Sequence, residues 1–401
     1  MNTTKTKLPY HPLIIFIVTS CILSSLGNYG PQGRASSVSL TRSTYAGFKL
    51  KGILRPKILH TQWLGPLAFS PNGKMLAVGT ADGESGTLSL WSVKTGKLLC
   101  LLQKSGHPVS ALAFSPDSKL LLSGNANFAG DGYVTLWQVA TGRPLRVLHP
   151  YAPLWVNFVT FAADGKTIIS GFYANEITST TTTLSVQSHH DHATTYKTTG
   201  ERKTTTVWGN RNLPDEICEW DTHTGRAVGV ERIKDGIMSM SYAPGIVTTV
   251  GGENMVIWNT QPLKPRRVIK KWLDDSLALT SDGQLLASGG YRGQITLWDT
   301  TSGKRLAILN TEGGAIGTLT FSPHNTILAA ATQSSVARSA ADPGKIYLWD
   351  VQTRHLIGIL TGHHNAVESI AFSPDGKLLV SGSLSEIRLW HIRQPQHRTA
   401  I

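Results

Sequence analysis

The chain has 401 residues, long enough for two ordinary domains, and 38 lysines and arginines against 25 aspartates and glutamates give it a formal net charge of +13. The basic residues are spread over segments such as 34–74 and 264–271 and a group near the C-terminus. Dispersed positive charge is typical of solubility and weak non-specific attraction, so we do not expect a dedicated nucleic-acid role. The 3 cysteines leave the redox compartment open.

The N-terminus carries a short apolar segment. Lys5 and Lys7 precede fourteen uncharged residues, 13–26. This run is too short to cross a bilayer as an ordinary helix but fits the apolar region of a secretory signal, with cleavage before Asn28. An alternative resembles a bacterial lipoprotein box, with Cys21 lipidated, and a third is an uncleaved anchor. We therefore expect an exported protein that is periplasmic, envelope-associated or extracellular, with possible membrane attachment through residues 1–27.

Residues 28–52 are rich in Gly, Ser and Thr and lack periodicity, so they are predicted to form a flexible linker. Beyond them one short phrase recurs. Its last copy lies in 363–390 and predicts three strands, 367–372, 378–381 and 387–390, the first two joined by a Ser-Pro-Asp-Gly-Lys turn. Seven copies of the phrase begin at Ala68, Ala113, Thr160, Ser241, Ala278, Thr320 and Ala371.

Each copy is followed by one tryptophan that closes an apolar triplet: Trp91, Trp137, Trp220, Trp258, Trp298, Trp349 and Trp390. The spacings are 46, 83, 38, 40, 51 and 41 residues. With Trp-Asp pairs at 220, 298 and 349 and Gly-His pairs at 106 and 362, the pattern resembles the WD40 family in a bacterial, exported form. The resemblance implies an all-β, seven-bladed propeller of four-stranded antiparallel blades, spanning 53–395 with a tail at 396–401.

The last blade lacks a fourth strand after Trp390. Residues 55–60, RPKILH, imitate 143–149, RPLRVLH, which follow Trp137 as a fourth strand. We therefore predict that 53–60 completes the last blade from the N-terminal side, which hides the sheet edges that invite aggregation.

Four loops between second and third strands are enlarged: 80–86, 125–132, 172–214 and 332–344. They are predicted to share one face and to form a consecutive arc of blades 6, 1, 2 and 3. The 172–214 insertion is Thr-rich, which favours either a projecting β-hairpin or a mobile loop. Long loops in compact domains are usually functional or disordered.

Aromatic residues mark the same face. Trp63, Trp155 and Trp272 precede innermost strands, which predicts a place at the channel entrance, and Tyr151, Phe172 and Tyr173 lie nearby in sequence. Aromatic side chains are common binding anchors, so these six are candidate partner-binding residues. Packing alone explains such tryptophans equally well.

The Gly-His histidines, His107 and His363, are predicted to be structural. The resemblance implies a hydrogen-bonded chain from His363 through Ser381 to Trp390, with an aspartate in the following turn, but Leu384, Ser385 and Glu386 stand there instead. His190 and His192 form a weak metal candidate, because alternate residues of a strand share a face. No second ligand group follows, so no metal or cofactor is expected.

No nucleophile elbow, phosphate-binding loop or cofactor motif is present in the sequence, and the pair Asp274-Asp275 near Trp272 is weak support for acid-base chemistry. Cys100 and Cys218 are predicted to be free thiols. We expect a non-catalytic, monomeric scaffold that binds a protein or peptide through the loop-rich face. A basic protein that binds polyanions or the envelope surface is the alternative, and a propeller enzyme with a site at the channel mouth ranks third.

Overall fold

The computed structural model describes residues 48–54, 63–81, 85–125, 132–150, 154–173, 179–184, 202–207, 214–234, 236–270, 274–312, 314–333, 343–384 and 386–393. These residues form strands and turns, and within these ranges no helix offers enough apolar length to span a bilayer. The predicted signal segment, Cys21, Tyr151, Trp272, His190 and His192 lie outside the described residues.

In the described part of the chain, thirty strands form seven four-stranded antiparallel sheets and one two-stranded sheet. We call the four-stranded sheets blades. The chain begins with β1 (Lys49–Leu54). Blades 1 and 2 consist of β2 (Trp63–Phe69), β3 (Met75–Ala81), β4 (Gly86–Ser92), β5 (Leu98–Gly106), then β6 (Val109–Phe114), β7 (Leu120–Asn125), β8 (Tyr133–Gln138) and β9 (Arg143–Leu148).

Blade 3 carries the inserted two-stranded sheet, and blade 4 follows it. Their strands are β10 (Trp155–Phe161), β11 (Thr167–Tyr173), the inserted β12 (Ser179–Leu184) and β13 (Arg202–Val207), β14 (Asp215–Asp221), β15 (Ala227–Ile233), then β16 (Ser239–Ala243), β17 (Ile246–Gly251), β18 (Asn254–Asn259) and β19 (Lys264–Lys270). The 172–214 insertion therefore contains an antiparallel strand pair, β12–β13, in line with the hairpin alternative.

Blades 5, 6 and 7 complete the set. Their strands are β20 (Asp274–Leu279), β21 (Leu285–Gly290), β22 (Gln294–Asp299), β23 (Arg305–Asn310), then β24 (Ala315–Phe321), β25 (Ile327–Gln333), β26 (Ile346–Asp350), β27 (Leu356–Leu360), and β28 (Val367–Phe372), β29 (Leu378–Ser383) and β30 (Glu386–His391) with β1. The first strand of each blade contacts the first strands of both neighbours, so β2, β6, β10, β16, β20, β24 and β28 form a closed inner ring. The predicted seven-bladed, all-β propeller is confirmed.

The N-terminal strand closes blade 7, but it lies earlier than predicted. Lys49 pairs with His391 and Leu54 with Ile387, whereas the prediction placed this strand at 53–60, and residues 55–62 lie outside the described part of the chain. The predicted linker boundary at residue 52 is wrong for the same reason, since 49–52 belong to β1. Phe48 adds a packing contact against the core between blades 6 and 7.

The long loops do not form one uninterrupted arc. The loops predicted to be enlarged join second and third strands in blades 6, 1, 2 and 3, but in blade 1 only residues 82–85 separate β3 from β4. Blade 7 lies between blades 6 and 1, since β28 packs against both β24 and β2. In blade 7 the corresponding loop is short, between Ser383 and Glu386. The predicted consecutive arc is therefore wrong, because blade 7, with its short loop, separates blade 6 from blade 1.

Four of the seven turns between first and second strands share one hydrogen-bonded design. In blade 7, Ser373 Oγ donates to Asp375 Oδ1 at 2.6 Å, the Lys377 N–H donates to the same oxygen at 3.0 Å, and Gly376 has a φ of +66°. Pairs of Ser or Thr with Asp or Asn repeat this bond in blades 1, 2 and 5: Ser70 with Asn72, Ser115 with Asp117, and Thr280 with Asp282. A side chain that caps its own turn fixes the hairpin register locally.

The seven closing tryptophans are buried, with relative exposures between 4% and 8%. Six of their indole N–H groups donate to a Ser or Thr hydroxyl, at distances between 2.7 and 3.0 Å: Trp91 to Ser89, Trp137 to Ser123, Trp220 to Ser170, Trp258 to Thr249, Trp298 to Ser288 and Trp390 to Ser381. Trp349 Nε1 is buried and has no acceptor among the described residues. Ala330 occupies the position that holds the hydroxyl in most other blades.

We expect the substitution Ala330→Ser to stabilise the protein by about 1 kcal/mol, because it supplies the missing acceptor for the indole of Trp349. The matched control is Ala329→Ser, at a neighbouring alanine that is also fully buried. There the new hydroxyl should destabilise by about 1–3 kcal/mol. Chemical denaturation of both variants measures the difference, and an equal loss of stability in the two would refute this assignment.

Candidate functional site

The loop-rich face is the end of the ring that carries the loops between second and third strands and the connections from one blade to the next. Trp155, at the start of β10, lies at this end but is only 2% exposed and packs on Tyr173, with ring centroids 6.1 Å apart. Phe172 is fully buried and meets Trp220 edge-on at 6.4 Å. These two side chains belong to the core, so the prediction that they present a binding surface is wrong.

For the other four predicted partner-binding residues, binding stays a prediction. Trp63 begins β2 and its backbone pairs with Ala81 at the same end of the ring. Tyr173 is partly exposed at the end of β11, beside the long insertion. Tyr151 and Trp272 lie outside the described residues, so the structure does not test them.

A second aromatic group lies on this face, on blade 2. The ring of Tyr133, at the start of β8, lies 5.5 Å from the ring of His107 and 5.8 Å from that of His149. His149 is exposed and the other two are partly exposed. Burial raises the pKa of Tyr133. Sequence reasoning missed this group because its members lie on three separate segments, and only the Gly-His motif pointed to any of them.

His107 does not join the hydrogen-bonded chain that the resemblance implies for a Gly-His pair. In blade 2, Ser123 Oγ donates to Asn125 Oδ1 at 3.0 Å, while Gln103 and Asn125 donate to the backbone oxygen of His107. His107 therefore holds the blade through its backbone, and its ring contributes to the aromatic group instead.

Blade 7 contains the chain of contacts in full. Trp390 Nε1 donates to Ser381 Oγ at 2.8 Å, and the same hydroxyl lies 2.6 Å from His363 Nε2. Because an indole N–H only donates, the serine accepts there and can direct its own hydrogen to the histidine. Glu386 Oε1 then lies 3.3 Å from His363 Nδ1 and accepts a bond from Arg388 Nε at 2.9 Å. Glu386 thus takes the place of the expected aspartate, from a strand rather than from a turn.

All these side chains are buried, with Arg388 at 8% exposed and Glu386 at 4%. Gly362 permits the arrangement, since a Cβ there would lie 2.6 Å from Arg388 Nη1 and its φ is +123°. Burial acts to raise the pKa of Glu386, but the hydrogen bond and charge of Arg388 outweigh it and leave the pKa below its ordinary value. This is a structural network, and Arg388 is not part of an exposed basic group.

Acid should weaken this network through His363. Burial lowers the pKa of His363 to about 4 from an ordinary value of 6.5, although the carboxylate of Glu386 acts in the opposite direction. The unfolded chain therefore binds a proton more readily, so this contribution to stability is complete above about pH 6.5 and is lost as the pH falls towards 4. We expect thermal unfolding between pH 7 and 4 to show a shallower decline for His363→Gln than for the unchanged protein. Parallel curves would contradict this role.

Acidic side chains occur on the innermost strands but do not form a metal site. Asp274 and Asp275 begin β20, with 8% and 5% exposure, and burial raises the pKa of Asp275 although a hydrogen bond from Tyr291 opposes it. Burial also raises the pKa of Glu368, on β28, to about 7. Within the described part of the chain, no group of three or more His, Cys, Asp or Glu side chains could hold a metal ion.

The two described cysteines are free thiols, as predicted. Cys218 is fully buried on β14, and burial, with the charge of Glu216, raises its pKa. A thiol held in the protonated form is a poor nucleophile. Cys218 is therefore a core residue.

Comparisons with known proteins find the same repeats. The family model described as "WD domain, G-beta repeat" matches residues 67–92, 98–138, 275–299 and 354–391. Small ribosomal subunit protein RACK1y of Oryza sativa subsp. japonica is 31% identical over 160 residues, which cover 37% of this chain and 44% of that protein. Periodic tryptophan protein 2 homolog of Dictyostelium discoideum is 25% identical over 156 residues, covering 29% of this chain and 17% of that protein.

The chain thus spans less than half the length of these two curated relatives. Both come from eukaryotes, so the comparison gives no support to the bacterial, exported qualifier. The four matched stretches contain the closing tryptophans of blades 1, 2, 5 and 7. The last stretch also covers the fourth strand of blade 6, β27. The chain contains WD40 repeats, and the matched stretches lie in the blades of its propeller.

Proposed function

We propose that this protein is a non-catalytic scaffold that binds a protein or peptide through the loop-rich face. The observation that carries the proposal is the unequal elaboration of the two faces. One face has short turns, four of which are self-capped, while the other carries three long loops, 126–132, 174–214 and 334–345, the second of which includes the separate β12–β13 sheet. Long loops on a rigid frame are where binding residues concentrate.

The aromatic group of His107, Tyr133 and His149 supports this choice of face. Partly exposed rings supply large contact area with little conformational entropy to lose, which suits a protein interface. The group lies beside the 125–132 loop, since Tyr133 begins the strand that follows it. Tyr173 extends the same side towards the insertion in blade 3.

The test is affinity capture from a native extract of the source cells with three full-length proteins. The first is unchanged, the second carries Tyr133→Ala and Tyr173→Ala, and the third carries Lys94→Ala and Lys304→Ala, two lysines in turns of the opposite face. A partner retained by the first and third proteins but lost at least ~10-fold by the second supports the proposal. Equal capture by all three excludes this face.

A basic surface favours a second function, the binding of polyanions or of an anionic envelope surface. The outer strand β19 exposes Lys264, Arg266, Arg267 and Lys270. Affinity carried by these charges would fall steeply between ~50 and ~200 mM salt, whereas an aromatic protein interface would change little. The salt dependence of the captured complex therefore separates the two functions.

We further propose that the protein is exported and that it acts as a monomeric propeller. The support for export is the sequence of residues 1–27, with basic residues, an apolar run and Cys21. The support for a monomer is that β28 packs against β2, so the blades close into a ring within one chain. Mass spectrometry of the N-terminus in the native protein distinguishes cleavage before Asn28, lipidation at Cys21 and retention. An unprocessed chain in the soluble interior of the cell would refute export.

A further inference from the structure

A cavity of about 240 Å³ lies between blades 3 and 4 on the face opposite the loop-rich face. Its walls come from three short turns and from the strands that they join. The lining residues used below are Asp164, Glu219, Tyr242, Pro244 and Gly245. The cavity is far larger than one water molecule requires.

Glu219 departs from the repeat at this point. It is the residue before the closing tryptophan on the third strand, where the other six blades have a buried leucine or isoleucine: Leu90, Leu136, Ile257, Leu297, Leu348 and Leu389. Glu219 is 6% exposed, as deeply placed as those apolar residues. A carboxylate at a core position is costly unless it is paired.

The carboxylate is incompletely paired. Glu219 Oε1 is buried and has no hydrogen-bond partner among the described residues. Burial raises the pKa of Glu219, and a hydrogen bond from the backbone of Gln261 opposes that effect. A buried acceptor without a donor indicates a position that a donor from outside the chain can fill.

Tyr242 is a second departure, from the neighbouring blade. It occupies the position of Phe69, Phe114, Phe161, Phe321 and Phe372 in other blades. Its hydroxyl accepts the Ala163 N–H at 3.1 Å. Asp164, Glu219 and Tyr242 all line the cavity. Burial raises the pKa of Tyr242, the hydrogen bond from Ala163 opposes that effect, and the charges of Asp164 and Glu219 add to it.

The space itself results from a shortened turn. In blade 7 five residues, 373–377, separate the first and second strands, whereas in blade 4 only Pro244 and Gly245 do so. Blade 3 has Ala162 where most other blades have the turn-capping serine or threonine. The short turn of blade 4 and the small side chain of Ala162 in blade 3 leave space where the two blades meet, and this space is the cavity beside Glu219.

We propose that this cavity binds a single ammonium or guanidinium group carried on an alkyl stem. Glu219 and Asp164 provide negative charge, the ring of Tyr242 offers a face to a cation, and Ile169 and Pro244 line a path for the stem. Among the lining residues that the structure describes there is no lysine or arginine, although the whole chain has a net charge of +13. The site is on the opposite face from the proposed scaffold surface and stands or falls independently of it.

The test is isothermal titration of the full chain with acetyl-arginine amide, acetyl-lysine amide and neutral acetyl-citrulline amide. We expect saturable binding of a charged probe, no binding of the citrulline compound, and at least ~10-fold weaker binding by Glu219→Gln. Glu253→Gln, at an exposed glutamate, is the matched control and should bind like the unchanged protein. No saturable binding of either cation, or equal binding by Glu219→Gln, would overturn the proposal.

The substitution Glu219→Leu keeps the test decisive if the amide variant is unstable. It restores the repeat residue, so we expect a higher melting temperature together with loss of cation binding. If Glu219→Leu bound the cation, or lowered the melting temperature as a disrupted core would, the site would be ruled out.

Two further probes separate the sources of the cation. Tighter binding of an arginine-containing tetrapeptide than of butylguanidinium indicates a side chain of a partner protein, and equal binding indicates a small free cation. Either result requires the Glu219 carboxylate.

Discussion

A chain that begins at residue 55 should be far less stable than one that begins at residue 48, because only the longer chain retains β1. Without β1, β30 loses the five residue pairs from Lys49–His391 to Leu54–Ile387, and the core between blades 6 and 7 loses Phe48. At about 1 kcal/mol for each hydrogen bond, together with the lost apolar contact, we expect a deficit on the order of 5 kcal/mol. Such a loss is a large fraction of the stability of an ordinary domain.

Thermal unfolding and sedimentation of the two chains measure this effect. The shorter chain should melt at a lower temperature and associate as its concentration rises, because the exposed edge of β30 is a template for strand pairing. The chain from residue 48 is the matched control, since both chains lack residues 1–47. Equal melting temperatures and a monomeric shorter chain would show that β1 does not close the ring.

The substitution Glu386→Ala should cost about 3–5 kcal/mol, because it leaves the buried guanidinium of Arg388 without its anion. It also removes the group that faces His363 Nδ1. Glu253→Ala, at an exposed glutamate, is the control and should change the free energy of unfolding by less than about 0.5 kcal/mol.

A double substitution separates the buried charge from general damage to the blade. In other blades the position of Arg388 holds residues such as Thr135, Val256 and Thr296. Adding Arg388→Val to Glu386→Ala removes both charges, and we expect it to recover part of the lost stability. The ion pair is not the cause if the double variant loses as much stability as Glu386→Ala and Arg388→Val lose when their separate losses are added.

The repeated phrase was sufficient to predict the blades. In blade 7 the predicted first strand, 367–372, coincides with β28, and β29 and β30 differ from prediction by one or two residues at an end. This succeeds because the turn between β28 and β29 is fixed by its own residues, through the bond from Ser373 to Asp375. Local chemistry of this kind is visible in sequence.

The closing strand was misplaced because its register depends on distant residues. Residues 49–54 and 55–60 both contain apolar and basic side chains, and the similarity to β9 favoured the second stretch. Pairing with β30, more than three hundred residues later, selects the first. Register set by a partner strand cannot be derived from local pattern.

The burial of individual side chains was the second feature that the sequence did not predict. Trp155 and Phe172 are at the predicted end of the ring, but Tyr173 and Trp220 cover them. The role of Glu386 was not predicted, because the resemblance implies an aspartate in the turn and Glu386 acts from a strand. Glu219, by contrast, could have been found in the sequence, since a position-by-position comparison of the seven repeats shows an acid among leucines and isoleucines.

Amide hydrogen exchange over residues 49–54 tests the closed seven-bladed ring most directly. The account predicts that this peptide exchanges as slowly as the peptide over 386–391, because the two strands share one set of backbone hydrogen bonds. Exchange of 49–54 at the rate of an unstructured chain, with 386–391 still protected, would contradict closure by the N-terminal strand.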